Sequence, residues 1–158
     1  MAQQENRHIY FNGASNSVEH MNWNFCDLDF VIFKTGIKVE THTHLRQLRS
    51  IDVSDLNFIV ENVRESFVRS DSNMLIRNVM DFSYSLDKMG FVTDITRSLV
   101  NQLLKTKEIL AAKGCGAMSA DTIIVIFAKK DRDKIQKVLE EIRLHKNGSP
   151  PLDNNHVH

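Results

Sequence analysis

The strongest constraint on the fold is the run TIIVIF, residues Thr122 to Phe127, which is almost wholly apolar and rich in β-branched side chains. Between a glycine-bearing loop and charged flanks, a run this short predicts a strand and not a buried helix. The apolar run Ile109 to Ala112 lies just before that loop, so the segment predicts strand, loop, strand. Near the N-terminus, Phe30 to Phe33 predict another strand that ends at Thr35-Gly36, and residues 8 to 11 predict an edge strand.

Between these strands the apolar residues recur every three to four positions, as in helices that bury one face. One pattern follows Ser54-Asp55, a second follows residues 70 to 72, and a third begins at Thr93, which we expect to cap it. A further helix is predicted from Asp131 and a short one through Leu45 and Leu48. Strands at both ends of a helical middle predict the α+β class: an antiparallel sheet with helices packed on one face.

The predicted organisation is a single ordered domain over residues 22–146. Residues 1–21 form an N-terminal extension or edge strand in this interpretation, and the polar residues 147–158 form a flexible tail. A chain of 158 residues is long enough for one ordinary core.

Charge and cysteine content exclude several functional classes. Twenty basic and twenty acidic residues cancel, which argues against a nucleic-acid partner, and no apolar run has the ~20 residues of a membrane span. Cys26 and Cys115 lack metal or redox spacing, which favours a reducing compartment and a cytoplasmic location. His42 and His44, and likewise His156 and His158, lack a third ligand at a familiar spacing, so no metal site is predicted.

The segment KGCGAMSAD, residues 113 to 121, is the strongest candidate for chemistry. Its two glycines permit left-handed backbone conformations, and its small side chains allow a phosphate or another chain to approach the backbone. The same composition also suits a simple turn between strands. Spacing alone leaves both interpretations open, with the turn favoured.

The run AAKGCGAMSADTIIVIF resembles the third signature of the GHMP kinases, a lysine and a small-residue glycine loop followed by an apolar strand, most closely in its phosphomevalonate kinase form. The run VIFKTGIKVETHTHL, residues 31 to 45, is similar to the start of the family's C-terminal domain. The resemblance spans about residues 22 to 145 and implies an elaborated ferredoxin-like fold. It further implies a phosphate or nucleotide loop made of Lys113, Gly114, Gly116, Ala117, Ser119 and Asp121, with Thr35 and Lys38 on the acceptor side.

The resemblance implies the acceptor-side half of an ATP-dependent kinase for a small mevalonate-like molecule. The Gly- and Ser-rich phosphate loop of such kinases does not occur in this chain, so ATP and Mg²⁺ would bind only with a separate N-terminal half. We therefore expect the chain alone to be inactive and to have that half and a small-molecule acceptor as partners. A homo-oligomer of the chain is a further option. The alternative is a non-catalytic relative that serves as an oligomerisation or small-ligand-binding module.

Two positions depart from the family pattern. Met118 and Ser119 stand where the family usually has glycines. A left-handed backbone at either position would cost about 1 kcal/mol or more. This departure favours the non-catalytic alternative slightly.

Overall fold

The computed structural model describes residues 8–36, 52–116 and 119–146. The predicted short helix through Leu45 and Leu48 and the tail 147–158 lie outside these ranges. The strands are β1 (His8–Asn12), β2 (Ser17–Met21), β3 (Leu28–Lys34), β4 (Ile109–Cys115) and β5 (Thr122–Ala128). The α-helices are α1 (Ser54–Arg69), α2 (Ser72–Lys88), α3 (Asp94–Leu104) and α4 (Arg132–Lys146), the last preceded by a 3₁₀ turn, Lys129–Asp131.

The main sheet has three antiparallel strands in the order β3, β5, β4. Strand β5 is therefore central: Ala128 lies opposite Leu28 on β3, and Thr122 lies opposite Cys115 on β4. The predicted strand, loop, strand segment is confirmed as the hairpin of β4 and β5. The α+β class and the antiparallel sheet are confirmed as well.

Helices cover both faces of this sheet, which corrects the expectation of helices on one face. The α1–α2 face carries a core cluster of Phe25, Leu28, Leu75, Ala111 and Ile126. The α3–α4 face carries a larger cluster that includes Leu103, Ile123, Val125, Phe127 and Ile135. The reason is the central strand: side chains alternate between faces, so an uninterrupted apolar run buries both of them.

The helix ends follow local chemistry. The Thr93 hydroxyl accepts from the Thr96 amide at 3.2 Å, which confirms the predicted cap of α3, and Asp71 caps α2 by accepting from the Met74 amide at 3.0 Å. Helix α1 ends where Ser70 adopts a left-handed φ of 52°.

Strands β1 and β2 form a separate two-stranded sheet. Strand β1 had been expected as an edge strand, whereas β2 was not predicted, because SVEHM has little apolar character. Polar contacts join this hairpin to α1: the Tyr10 hydroxyl donates to Glu61, and the Arg64 guanidinium donates to Glu19 at 2.8 Å. The hairpin thus packs beside α1. Among the described helices none combines the length and the apolar character that crossing a bilayer requires.

Candidate functional site

The loop between β4 and β5 is a closed turn. Gly116 has a left-handed φ of 86°, and its carbonyl accepts from the Ser119 amide at 2.9 Å. The Asp121 amide donates to the Cys115 carbonyl at 3.0 Å and closes the base of the loop. Ala117, a predicted member of the site, lies outside the described residues. The described part of the loop is held by its own backbone hydrogen bonds.

Gly114 is required by close packing across the loop. A Cβ atom at this position would lie 2.2 Å from the Ser119 carbonyl oxygen and 2.8 Å from the Thr96 Cγ2 atom. Such distances do not occur between real atoms. The end of β4 therefore approaches both the returning loop and helix α3 more closely than any side chain would permit.

Ser119, which stands where the resemblance leads us to expect a glycine, has a left-handed backbone. Its φ is 56°, and only 4% of the residue is exposed. A left-handed conformation costs a residue with a side chain about 1 to 2 kcal/mol. Because neighbouring contacts hold this residue in place, the loop retains the conformation despite the serine.

Thr35, just after β3, is hydrogen-bonded to the end of the β4–β5 loop. Its hydroxyl donates to the carbonyl oxygens of Ala120 and, at 3.0 Å, of Asp121, and its amide donates to the same Asp121 oxygen at 3.2 Å. The residue is 2% exposed. Thr35 therefore contacts the loop from behind. Lys38, its predicted companion on the acceptor side, lies outside the described residues.

Lys113 is half-buried beside the loop. Its ammonium donates to the Gly114 carbonyl at 2.7 Å and lies 4.9 Å from the centre of the Phe82 ring on α2. The Cys115 sulfur is 3.7 Å from the same nitrogen. Lys113 thus places a cation next to the glycine backbone, stabilised by an aromatic face. Asp121 is exposed at the opposite end of the loop.

A cavity of about 120 Å³ opens beside these residues. Because β4 is an edge strand with α2 on one face and α3 on the other, the cavity lies along the outer edge of β4. It brings Lys113, Gly114 and Ser119 together with residues of both helices. The polar side chains in its lining are Ser83, Tyr84, Asp87, Arg97, Asn101, Lys113 and Ser119.

An ion pair crosses the wall of the cavity. Arg97 on α3 donates to both carboxylate oxygens of Asp87 on α2, at 2.8 and 3.0 Å, and to Asp94 at 2.6 Å. The hydrogen bonds that the guanidinium donates to Asp87 and Asp94 raise its pKa above the ordinary value. Arg97 therefore stays charged and joins the two helices that flank the site.

The cavity has room for a group about the size of one phosphate. Binding pockets for larger ligands measure about 300 to 1,000 Å³, so this cavity is too small for a whole nucleotide. Lys113 and Arg97 both line it, but Arg97 is already paired with Asp87 and Asp94, so Lys113 is the cation in the lining that no carboxylate pairs among the described residues. Within residues 8–36, 52–116 and 119–146, no three His, Cys, Asp or Glu side chains are grouped so that they could hold a metal ion.

The sequence placed the loop correctly between its strands but did not identify the helical side of the cavity. Asp87 and Arg97 were not among the predicted residues. The sequence gives little indication of them, because Arg97 lies three residues after Asp94 and such a spacing is typical of an ordinary ion pair on one helix. Asp87 contacts the Arg97 guanidinium only because α2 packs beside α3.

No protein-family model matches the sequence, and no curated protein matches it either. Solved structures do match. Galactokinase from Lactococcus lactis, crystallised with galactose, superposes with a TM-score of 0.72 at 15% identity, over 91% of this chain and 48% of that chain. Mevalonate kinase from L. major, in complex with R-mevalonate, gives 0.64 at 17% identity, over 84% of this chain and 44% of that chain.

Phosphomevalonate kinase from Streptococcus pneumoniae gives a TM-score of 0.61 at 21% identity, over 87% of this chain and 42% of that chain. The chain thus spans less than half the length of each of these kinases. The chain therefore has a GHMP-kinase fold, equivalent to part of each of these enzymes.

Proposed function

We propose that this chain is the C-terminal, acceptor-side domain of an ATP-dependent small-molecule kinase. The observation that carries the proposal is the tight β4–β5 loop, with its left-handed Gly116 and Ser119, beside a phosphate-sized cavity that Lys113 and Arg97 line. Backbone hydrogen bonds within the described part of the loop hold its groups in place before an anion binds, which lowers the entropic cost of binding. By resemblance the acceptor is of the mevalonate or phosphomevalonate class.

In this proposal some residues contact the phosphate group and others hold the β4–β5 loop in position. Gly114, Gly116, Ala117, Ser119 and Asp121 form the phosphate-facing loop, and Lys113 supplies positive charge beside it. Thr35 positions this loop from behind through the carbonyls of Ala120 and Asp121. Lys38 remains a proposed acceptor contact on sequence grounds.

ATP and Mg²⁺ belong to the complete enzyme in this proposal. The cavity is large enough for one phosphate group, so a separate N-terminal half would hold the rest of the nucleotide and its metal ion. Positioning and charge neutralisation supply nearly all of the rate enhancement in phosphoryl transfer, and half of that machinery would come from the partner. We place the complex in the cytoplasm, where the free thiols of Cys26 and Cys115 persist.

A reconstitution experiment tests the kinase proposal. If a Gly/Ser-rich phosphate loop is encoded upstream of Met1 or in an adjacent gene, its product is mixed with this chain, ATP, Mg²⁺ and mevalonate, phosphomevalonate or galactose. We expect turnover that requires both halves. We also expect Gly116→Ala to abolish it, because a Cβ there would meet the Asp121 Cβ at 2.6 Å in a left-handed backbone.

Gly13→Ala is the matched control, because a Cβ at Gly13 meets only the Phe11 ring, at 3.7 Å. Full turnover in a folded Gly116→Ala protein would remove the loop from the proposal. Absence of turnover with every acceptor would contradict the kinase function itself.

The non-catalytic alternative is favoured by the small cavity and by the serine at position 119. A module of that kind would bind a small anion without any second half. Titration of inorganic phosphate into the isotope-labelled chain separates the two candidates. Saturable shifts of the Gly114, Gly116 and Ser119 amides in the chain alone favour the module, whereas shifts only with the second half and ATP favour the kinase domain.

A further inference from the structure

A second surface, on the far side of the sheet from the cavity, carries an inference that is independent of the proposed function. Strand β3 is the other edge of the main sheet, and in the described part of the chain it pairs only with β5. Ile32 in this strand is 58% exposed. Exposed edges of this length invite pairing with another strand, and most proteins cover or interrupt them.

The backbone of β3 has hydrogen-bonding groups directed outward. The Thr35 amide donates toward the β5 side, to Asp121. Because the pattern alternates along an antiparallel strand, odd-numbered residues of β3 bond to β5 and Ile32 directs its N–H to the open edge. A strand added at this edge would find an unused donor at its centre.

A groove of about 640 Å³ lies between β3 and helix α4. Val31, Ile32 and Phe33 form its strand side. On the helix side it is lined by the buried Leu139 and by a row of exposed residues, which we name the charged stripe: Asp133, Gln136, Lys137, Glu140 and Arg143. These residues recur every three to four positions, so they share one face of α4.

The order of positive and negative side chains along the charged stripe matches the same stripe on a second, antiparallel helix. When two α4 helices lie antiparallel, Asp133 of one meets Arg143 of the other, and Lys137 meets Glu140. Every charged member of the stripe then faces an opposite charge. In a parallel arrangement each residue would face its own copy, and all the pairs would be repulsive.

A single two-fold axis can relate β3 to the β3 of a second copy and, at the same time, α4 to the α4 of that copy. The middle of β3, Val31 to Phe33, and the middle of the stripe, Gln136 to Glu140, line the same groove. An axis through that groove, perpendicular to the sheet, pairs β3 with β3 in antiparallel fashion and keeps both α4 helices on one face. This is the self-complementary contact of a closed dimer.

We propose that the β3 edge and the charged stripe bind a second copy of this chain, which forms a two-fold dimer with a continuous six-stranded sheet. The self-complementary charge pattern is the argument for this occupant. Residues 147–158 contain Pro150 and Pro151, which lack the N–H groups that a strand at this edge would donate.

Charge reversal tests the proposal by sedimentation velocity of the whole chain over a range of concentrations. We expect a reversible dimer that weakens as salt rises from about 0.1 M to about 1 M, where the screening length falls from ~10 to ~3 Å. Lys137→Glu alone, and Glu140→Lys alone, should each weaken the dimer about tenfold, equivalent to ~1.4 kcal/mol. The double swap should restore it, because both pairs are then exchanged.

Glu141→Lys is the matched control, since Glu141 is exposed on α4 but does not line the groove. Helix content and melting temperature confirm that each variant folds. A monomer at every concentration, or a dimer that Lys137→Glu and Glu141→Lys affect equally, would overturn the proposal. A dimer that forms only after removal of residues 147–158 would also overturn it, because the chain's own tail would then occupy the edge.

Discussion

Gly114 and Ser119 are in direct contact across the base of the β4–β5 loop, with no room for a side chain at position 114. This contact requires a residue without a Cβ atom at position 114, and Ser119 makes it with a left-handed backbone. Both residues lie in the lining of the cavity. The first three predictions test this arrangement.

Replacement of Gly114 by Ala should destabilise the fold by about 2 kcal/mol or more, because the added Cβ would overlap the Ser119 carbonyl. Chemical denaturation of Gly114→Ala and the wild-type chain measures the difference in free energy of unfolding. Gly13→Ala should stay within about 0.5 kcal/mol of wild type, since its surroundings are open. Equal stabilities for the two variants would show that the contact between positions 114 and 119 is looser than described.

Substitutions at Ser119 should follow the strain of its backbone. Ser119→Gly should change the free energy of unfolding by less than about 1 kcal/mol, because relief of the left-handed strain offsets the entropy that glycine loses on folding. Ser119→Val should lower it by several times as much, because a β-branched residue is strongly disfavoured at positive φ. Thermal denaturation ranks the three proteins, and a valine variant as stable as the glycine variant would contradict a left-handed conformation here.

Thr35→Val should cost about 1 to 3 kcal/mol, because it keeps the shape of the side chain but removes the hydroxyl that donates to Ala120 and Asp121. Amide hydrogen exchange should also accelerate at Ser119 and Asp121, whose amides bond within the loop. Thr35→Ser retains the hydroxyl and is the control. Unchanged exchange in the valine variant would mean that the loop does not depend on Thr35.

The pair of Asp29 and Arg132 should make stability depend on acidity. Burial raises the pKa of Asp29, but hydrogen bonds from the Arg132 guanidinium and the Phe30 amide outweigh it, so the pKa is lowered. A lowered folded-state pKa adds stability that is present above the unfolded value of about 3.9 and is lost as pH falls through the folded value. We expect Asp29→Asn to lose about 1 kcal/mol at neutral pH, and little in acid below both pKa values.

The free energy of unfolding of Asp29→Asn and wild type, measured by urea denaturation across this range, checks the sign. Arg132 and Asp29 retain 43% and 21% side-chain exposure, so solvent screening keeps the effect small. A difference between the two proteins that grows toward acid would contradict the assigned direction of the pKa shift.

Much of the fold and part of the site follow from local patterns. The run from Thr122 to Phe127 predicted a strand and Thr93 predicted the start of a helix, and both predictions are confirmed. The glycines at 114 and 116 predicted a loop with left-handed backbone conformations. Gly116 and Ser119, at the two ends of that loop, have positive φ angles. These features depend on side-chain volume, branching and hydrogen-bonding groups within a few residues of each other. Periodicity and turn chemistry therefore report them without any knowledge of distant contacts.

The remaining features arise from contacts between residues far apart in the chain. The bond from Thr35 to Asp121 joins positions separated by 86 residues, and Asp87 meets Arg97 beside Lys113 because α2 and α3 pack on opposite faces of the same edge strand. The two-faced burial of β5 and the open edge of β3 depend likewise on strand order. No local pattern encodes that order, because it is chosen by the total burial of apolar surface when all the strands and helices pack together.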